Sequence, residues 1–175
     1  DVFEGHGDLV ALDHSADETV DYVVHVMSHW LDRGAAGWRL DAAYAVPSPF
    51  WARVLPQVKA AHPYSWIFGE VIHGDYPRII EESTMDSITQ YELWKSIQHA
   101  LETENFFELD WNLKRHNAFL DSFVPQTFIG NHDVTRIASQ IGPAKAALAL
   151  AVLMTVGGVP SIYYGDEQGY VGVKQ

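Results

Sequence analysis

The sequence contains no cysteine. That excludes disulfides, thiolate nucleophiles and thiolate metal sites. Basic residues are scarce, 11 Lys and Arg against 23 Asp and Glu, for a net charge of −12. No basic cluster stands ready to neutralise phosphates, so a nucleic-acid partner is excluded. No apolar run is long enough to cross a bilayer. The best candidate, "AALALAVLMTVGGV", breaks at Gly157 and Gly158 and reads as a buried helix. There is no initiating methionine and no signal-peptide pattern, so a piece of a longer chain is expected and the compartment stays open. Internal repeats and low-complexity runs are absent as well.

What is present is apolar and aromatic. Hydrophobic residues make up 47% and aromatics 13%, so a chain of 175 residues can bury a real core. An acidic surface rich in Trp, Tyr and Phe suits a neutral ring-shaped ligand. The pattern alternates helices with short apolar runs. Residues 17–33 carry Val20, Val23, Val24, Met27 and Leu31 on one stripe, with Ser15 or Asp17 as the cap and Gly34 as the stop. Residues 47–63 form a second helix with Phe50, Val54, Val58 and Ala61 on one face and a kink at Pro56. A short helix is expected over 76–82, helices over 92–120 broken near Asn105, and another over 143–156. Between them lie five strands: 37–42, 65–71, 86–91, 126–131 and 159–165. Apolar strands alternating with helices predict an α/β fold with a parallel sheet. Neither a doubly wound sheet nor a (β/α)8 barrel is excluded by this pattern, although no Gly-rich phosphate loop follows a strand.

Titratable residues cluster at the strand ends. Arg39 and Asp41 close the first strand, Glu70 the second, and His132 and Asp133 follow the fourth. One such charge is ordinary. Five at matching positions point to one mouth, where parallel αβ barrels build their sites. Three carboxylates with one arginine suit acid–base or covalent carboxylate chemistry. Arg39 can hold one acid ionised, while apolar neighbours such as Ile67 and Phe68 can keep another protonated. Glycosidic cleavage uses that division of labour.

The stretches "GWRLDAA", "FGEV" and "FIGNHD" resemble, in order and spacing, the catalytic motifs of the α-amylase family of glycoside hydrolases. "DLVALDH" at 8–14 and "GGVPSIYYGDEQG" at 157–169 are similar to flanking segments of that family. The resemblance implies that residues 1–175 are a C-terminal portion of a (β/α)8 TIM-barrel, covering about strands four to eight. It further implies a retaining hydrolase of α-glucosidic bonds. Asp41 would be the nucleophile, oriented by Arg39. Glu70 would be the acid and then the base. Asp133 and His132 would hold sugar hydroxyls, and Arg136 would support the donor side. Asp166 and Glu167 read as solvated loop residues or minor rim contacts, and Tyr163 and Tyr164 as packing for the last strand. An open half-barrel of this kind would expose an apolar edge strand, so the piece alone is expected to be inactive or poorly soluble.

This sequence departs from the family pattern in two places. Tyr44 and Ala45 stand where many endo-acting members have Lys-His, which affects the acceptor side and a calcium ligand near that His. Calcium therefore remains possible only for the full-length enzyme, and no cofactor is evident. After Glu70, "VIHGD" places His73 or Asp75 on the acceptor side. Ala42 fits α-1,4 better than α-1,6 cleavage. A transglycosidase acting on sucrose or trehalose, and a non-catalytic sugar-binding barrel, are the alternatives. "GNHD" also matches a metallophosphoesterase ligand motif, but no histidine follows Asp133. His25 and His29 have zinc-compatible i, i+4 spacing without a third ligand nearby.

Overall fold

The computed structural model describes residues 2–175; Asp1 lies outside them. The chain divides into two compact units, one running to Val71 and including Asp75–Ile88, the other Ile72–Gly74 with Thr89–Gln175.

The first unit opens with an antiparallel hairpin, β1 (Val2–Phe3) and β2 (His6–Val10). Glu4 and Gly5 turn it through positive φ values of 51° and 76°. Helix α1 (Asp17–Leu31) follows, then β3 (Gly37–Leu40), α2 (Ser48–Ala61), β4 (Trp66–Gly69), α3 (Tyr76–Ser83) and β5 (Ser87–Ile88). Strands β3, β4 and β5 are parallel and adjacent in that order. Of the expected α1 stripe, Val20, Met27 and Leu31 are buried. Helix α2, which packs against α1, buries Phe50, Trp51, Val54, Leu55 and Val58, and in β4 Ile67 is fully buried. Each such side chain contributes about 1.5–3 kcal/mol of burial. Asp86 fastens this layer: Oδ2 accepts from the Ile67 amide at 2.7 Å and pairs with Lys59 at 2.6 Å.

The second unit holds α4 (Tyr91–Thr103), α5 (Phe107–Phe119), β6 (Gln126–Phe128), α6 (Ile137–Leu153) and β7 (Val159–Ser161). β6 and β7 are parallel, and Thr89 bridges Gln126 in parallel on the other side of β6. Leu93, Ile97 and Ala100 of α4 pack with Leu109, Ile129, Ile137, Ala146, Ala149 and Leu153. At the α4 start, Gln90 caps the Leu93 amide, and its side-chain nitrogen lies 3.4 Å from Nδ1 of the fully buried His116. His116 Nε2 donates to the Gly157 carbonyl at 2.6 Å.

All five expected strands are present, each shorter than its apolar run. The fold differs from expectation in several places. The β1–β2 hairpin was not expected, because β2 is exposed at every position and shows no alternation. Ala16 stands at the N-cap of α1; the Ser15 hydroxyl instead donates to Asp13 at 2.6 Å. α2 runs unbroken through Pro56, which lies on its exposed side, and Ala61 is exposed rather than facing the core. α6 begins six residues before Pro143. Gly142, at φ 80° and ψ 158°, interrupts it, and Pro143 starts its second segment. β7 is exposed throughout, contrary to a strand apolar on both faces; among the described residues only β6 flanks it.

Candidate active site

β3 and β4 run in register, Leu40 opposite Gly69. Asp41 and Glu70 are therefore the first residues beyond two adjacent parallel strands, and parallel geometry sends both the same way. Arg39, two residues before Asp41, has a guanidinium that reaches both. Nη1 lies 2.5 Å from Asp41 Oδ1 and Nη2 lies 3.1 Å from Glu70 Oε1. The carboxylates differ sharply in exposure: the Glu70 side chain is 9% exposed and that of Asp41 78%.

The backbone after Asp41 completes the arrangement. Ala42 takes a left-handed conformation, φ 45° and ψ 37°. A non-glycine residue there carries strain of the kind concentrated at functional sites. Its N–H donates to Glu70 Oε2 at 2.9 Å, the Tyr44 N–H donates to the Glu70 carbonyl at 3.2 Å, and the Glu70 N–H donates to the Leu40 carbonyl at 2.8 Å. Both Glu70 oxygens thus accept hydrogen bonds. Ile67 is fully buried, and Phe68 stacks on Trp66 with ring centroids 4.5 Å apart. Close packing is tight here: a Cβ at Gly69 would lie 2.6 Å from Met85 Sδ and 2.8 Å from Ala43 Cβ. Tyr44, in a short 3-10 turn over Ala43–Ala45, is exposed. Its hydroxyl is pushed up in pKa by partial desolvation and by the charges of Glu4, Glu70 and Asp41.

In the second unit the chain leaves β6 through Ile129 and Gly130 into Asn131, His132 and Asp133. Asn131 Oδ1 accepts from the Asp133 amide at 2.9 Å, and its Nδ2 donates to Tyr91 Oη at 2.8 Å. This asparagine turn holds the loop's shape; an Asn that bonds the backbone two residues on is a turn signal that the sequence reading passes over. His132 Nε2 lies 3.0 Å from Asp133 Oδ2. Lys174 Nζ donates to the His132 carbonyl at 3.2 Å and lies 3.5 Å from Asp133 Oδ1.

Arg136 is drawn away from solvent. Its Nη1 donates to Asp166 Oδ1 at 2.9 Å and to the Tyr164 carbonyl at 2.6 Å. Its guanidinium lies over Tyr163 and Tyr164, 4.4 and 4.7 Å from their centroids. Asp166 is not a solvated loop residue: its side chain is fully buried, and burial pushes its carboxyl up in pKa while Arg136 pulls the other way. Tyr163 and Tyr164 accordingly serve the arginine as much as the strand. His73 is exposed, and Asp75 caps α3 through the Arg78 amide, 3.4 Å away, which is a structural use of that carboxylate. Among the described residues no three His, Asp or Glu side chains gather as a cation site. His29 Nδ1 meets Arg33 at 3.0 Å rather than a metal partner.

Against known families, the model of the alpha amylase catalytic domain matches residues 3–175. The chain belongs to the α-amylase family. It is 32% identical over 162 residues to neopullulanase 2 of Thermoactinomyces vulgaris, covering 89% of this chain and 28% of that protein. It is 29% identical over 174 residues to a cyclomaltodextrin glucanotransferase of Geobacillus stearothermophilus, covering 94% of this chain and 24% of that protein. An Anoxybacillus α-amylase structure superposes with a TM-score of 0.83 at 25% identity, over 95% of this chain and 39% of that one. The chain thus spans about a quarter of the curated relatives it matches. The α/β architecture is that of α-amylase family barrels.

Proposed function

We propose that the protein carrying this chain is a retaining hydrolase of α-glucosidic bonds in α-1,4-glucans or maltooligosaccharides. On this reading residues 1–175 supply about strands four to eight of its (β/α)8 barrel. The observation that carries the proposal is the Arg39 fork, which draws Asp41 and Glu70 to one guanidinium. Retaining glycosidases use two carboxyl groups about 5–5.5 Å apart, one as nucleophile and one as acid–base. The exposed Asp41 carboxylate attacks the anomeric carbon while Glu70 gives a proton to the departing glycosidic oxygen. The sugar is left as an ester on Asp41. Glu70, now a carboxylate held by Arg39 and the Ala42 N–H, takes a proton from water, which opens the ester with net retention.

Asp133 and His132 hold sugar hydroxyls, Tyr44 and His73 border the acceptor side, and Arg136 supports the donor side. The substrate is a neutral polyhydroxylated chain, which matches an acidic surface without basic clusters. Transfer to a second sugar instead of water is the second reading, favoured by the 29% identity to a glucanotransferase. Both share the ester on Asp41 and differ in what deprotonates beside Glu70.

The test is Asp41→Asn in the full-length protein. Turnover of maltooligosaccharides should fall by roughly four orders of magnitude or more while binding survives, as when one member of a catalytic unit is removed. NMR of the first products should show the α-anomer, with longer oligosaccharides appearing if transfer dominates. Near-normal turnover, or a β-anomer, sinks the proposal.

A further inference from the structure

Asp166 is a carboxylate with no catalytic motif of its own, placed where a loop residue would ordinarily meet water. Its side chain is fully buried. Oδ1 accepts from Arg136, whereas Oδ2 has no hydrogen-bond partner. That unpartnered oxygen is aimed at Gly130, where an added Cβ would overlap it. Gly130 is buried, and is the last residue before the Asn131–Asp133 turn. Leaving a buried carboxylate oxygen unpaired is costly, and native structures keep such groups rarely.

The surrounding contacts all join the same two segments. The Arg136 N–H donates to the Gly172 carbonyl at 3.0 Å, and the Gly172 N–H donates to Ser139 Oγ at 2.8 Å. The Lys174 N–H donates to Thr135 Oγ1 at 3.1 Å, and its ammonium reaches the His132 carbonyl. The loop is shaped by its own contacts as well. Gly165, at φ 88°, admits Tyr170, whose ring would occupy the place of any Cβ there, and the Tyr170 N–H closes onto the Gly165 carbonyl at 2.9 Å. The segment 163–174 is therefore a preformed brace against 130–139, and Asp166 is its buried point of contact.

We propose that Asp166 is a positioning residue, which acts through Gly130 and Arg136 to set where His132 and Asp133 present their polar groups to the substrate. This rests on the glycosidase reading of the site. It adds that turnover depends on a residue that touches no substrate. If the brace sets geometry, its loss acts on the transition state more than on ground-state binding.

The experiment uses the full-length enzyme with maltooligosaccharides, reading kcat and KM separately and following thermal unfolding. Asp166→Asn keeps the volume and the Oδ1 acceptor but removes the charge opposite Arg136. Gly130→Ala keeps the ion pair and instead forces the loop away from Oδ2. Each should lower kcat about 10- to 100-fold with KM within about threefold, the scale of a misplacement near 1 Å. In an Asp133→Asn background, Asp166→Asn should add little, because the two act on one contact. If Asp166→Asn does not fold, Gly130→Ala decides alone. Reduced melting temperature with unchanged kcat in either folded variant, or losses that multiply with Asp133→Asn, would make Asp166 merely structural and overturn the proposal. A wild-type enzyme without glucan turnover would bring down the function itself, and this inference with it. Active wild type with unaffected variants brings down the inference alone.

Discussion

Replacing Arg39 by lysine separates the two arms of the guanidinium fork. Lysine keeps the charge but offers one ammonium in place of a planar pair of donors, so it cannot serve two carboxylates in this geometry. The arms are unequal. Asp41 is 78% exposed, so its bond to Arg39 is a solvent-screened pair of about 0–1 kcal/mol despite its 2.5 Å length. Glu70 is 9% exposed, and a charge-assisted hydrogen bond to a group so placed contributes about 1.5–3 kcal/mol. The Ala42 N–H, which donates to Glu70 Oε2, is untouched by the change and does not replace the lost arm at Oε1. At about 1.4 kcal/mol per decade, Arg39→Lys should cost about 10- to 100-fold in kcat/KM. Arg39→Met removes both arms and the charge together, and should be clearly worse than Arg39→Lys. The assay is initial-rate kinetics of the full-length enzyme on a chromogenic maltooligosaccharide, with melting curves to confirm folding. Arg39→Lys within about twofold of wild type, or Arg39→Met no worse than Arg39→Lys, would refute the reasoning.

Two further outcomes follow from the packing. His116 is buried with its pKa lowered below 6.5, first by desolvation and only partly offset by the Gly157 bond. As pH falls below 6.5 the unfolded chain takes up a proton before the folded one does, so this histidine's stabilisation is complete above 6.5 and drains away through the folded value. His116→Gln should therefore be less stable than wild type near about pH 8, with the gap narrowing near about pH 5; an equal gap at both would contradict the assignment. Gly37→Ala places a Cβ onto the Trp66 carbonyl of β4, a backbone atom that cannot swing aside. It should destabilise by at least about 1–3 kcal/mol in urea, whereas Gly69→Ala, which meets Met85 Sδ and Ala43 Cβ at longer distances and no backbone atom, should cost less. Equal midpoints for the two would overturn that ranking.

Much of this arrangement was legible because it is local. The runs around Gly37–Leu40 and Trp66–Gly69 announced adjacent parallel strands, and their lengths put Asp41 and Glu70 at matching ends. What escaped was set by residues far apart in the chain or by exposed pattern. Asp166 looks solvated until Arg136, thirty residues earlier, removes it from water. The β2 strand of the hairpin at Val2–Val10 is exposed throughout and carries no periodic signal. Gly142–Pro143 reads as a helix boundary, which is right for the backbone angles, yet helix lies on both sides of it. Glu70's polar surroundings could not be read from "WIFGEV", because its donors come from Arg39 and Ala42 on the neighbouring strand end.

The break in α6 has a consequence for motion. Gly142 interrupts the ladder and Pro143 contributes no amide, so the helix is two cooperative segments rather than one rod. The longer one buries Ala146, Ala149 and Leu153 in the core. The shorter one, Ile137–Ile141, starts directly after Arg136 and carries Ser139, which is bonded to the Gly172 amide. Hydrogen exchange should resolve them into separate protection classes. The turn that carries His132 and Asp133 then leads into a short segment with its own hydrogen-bond ladder, and the long segment begins afresh beyond it.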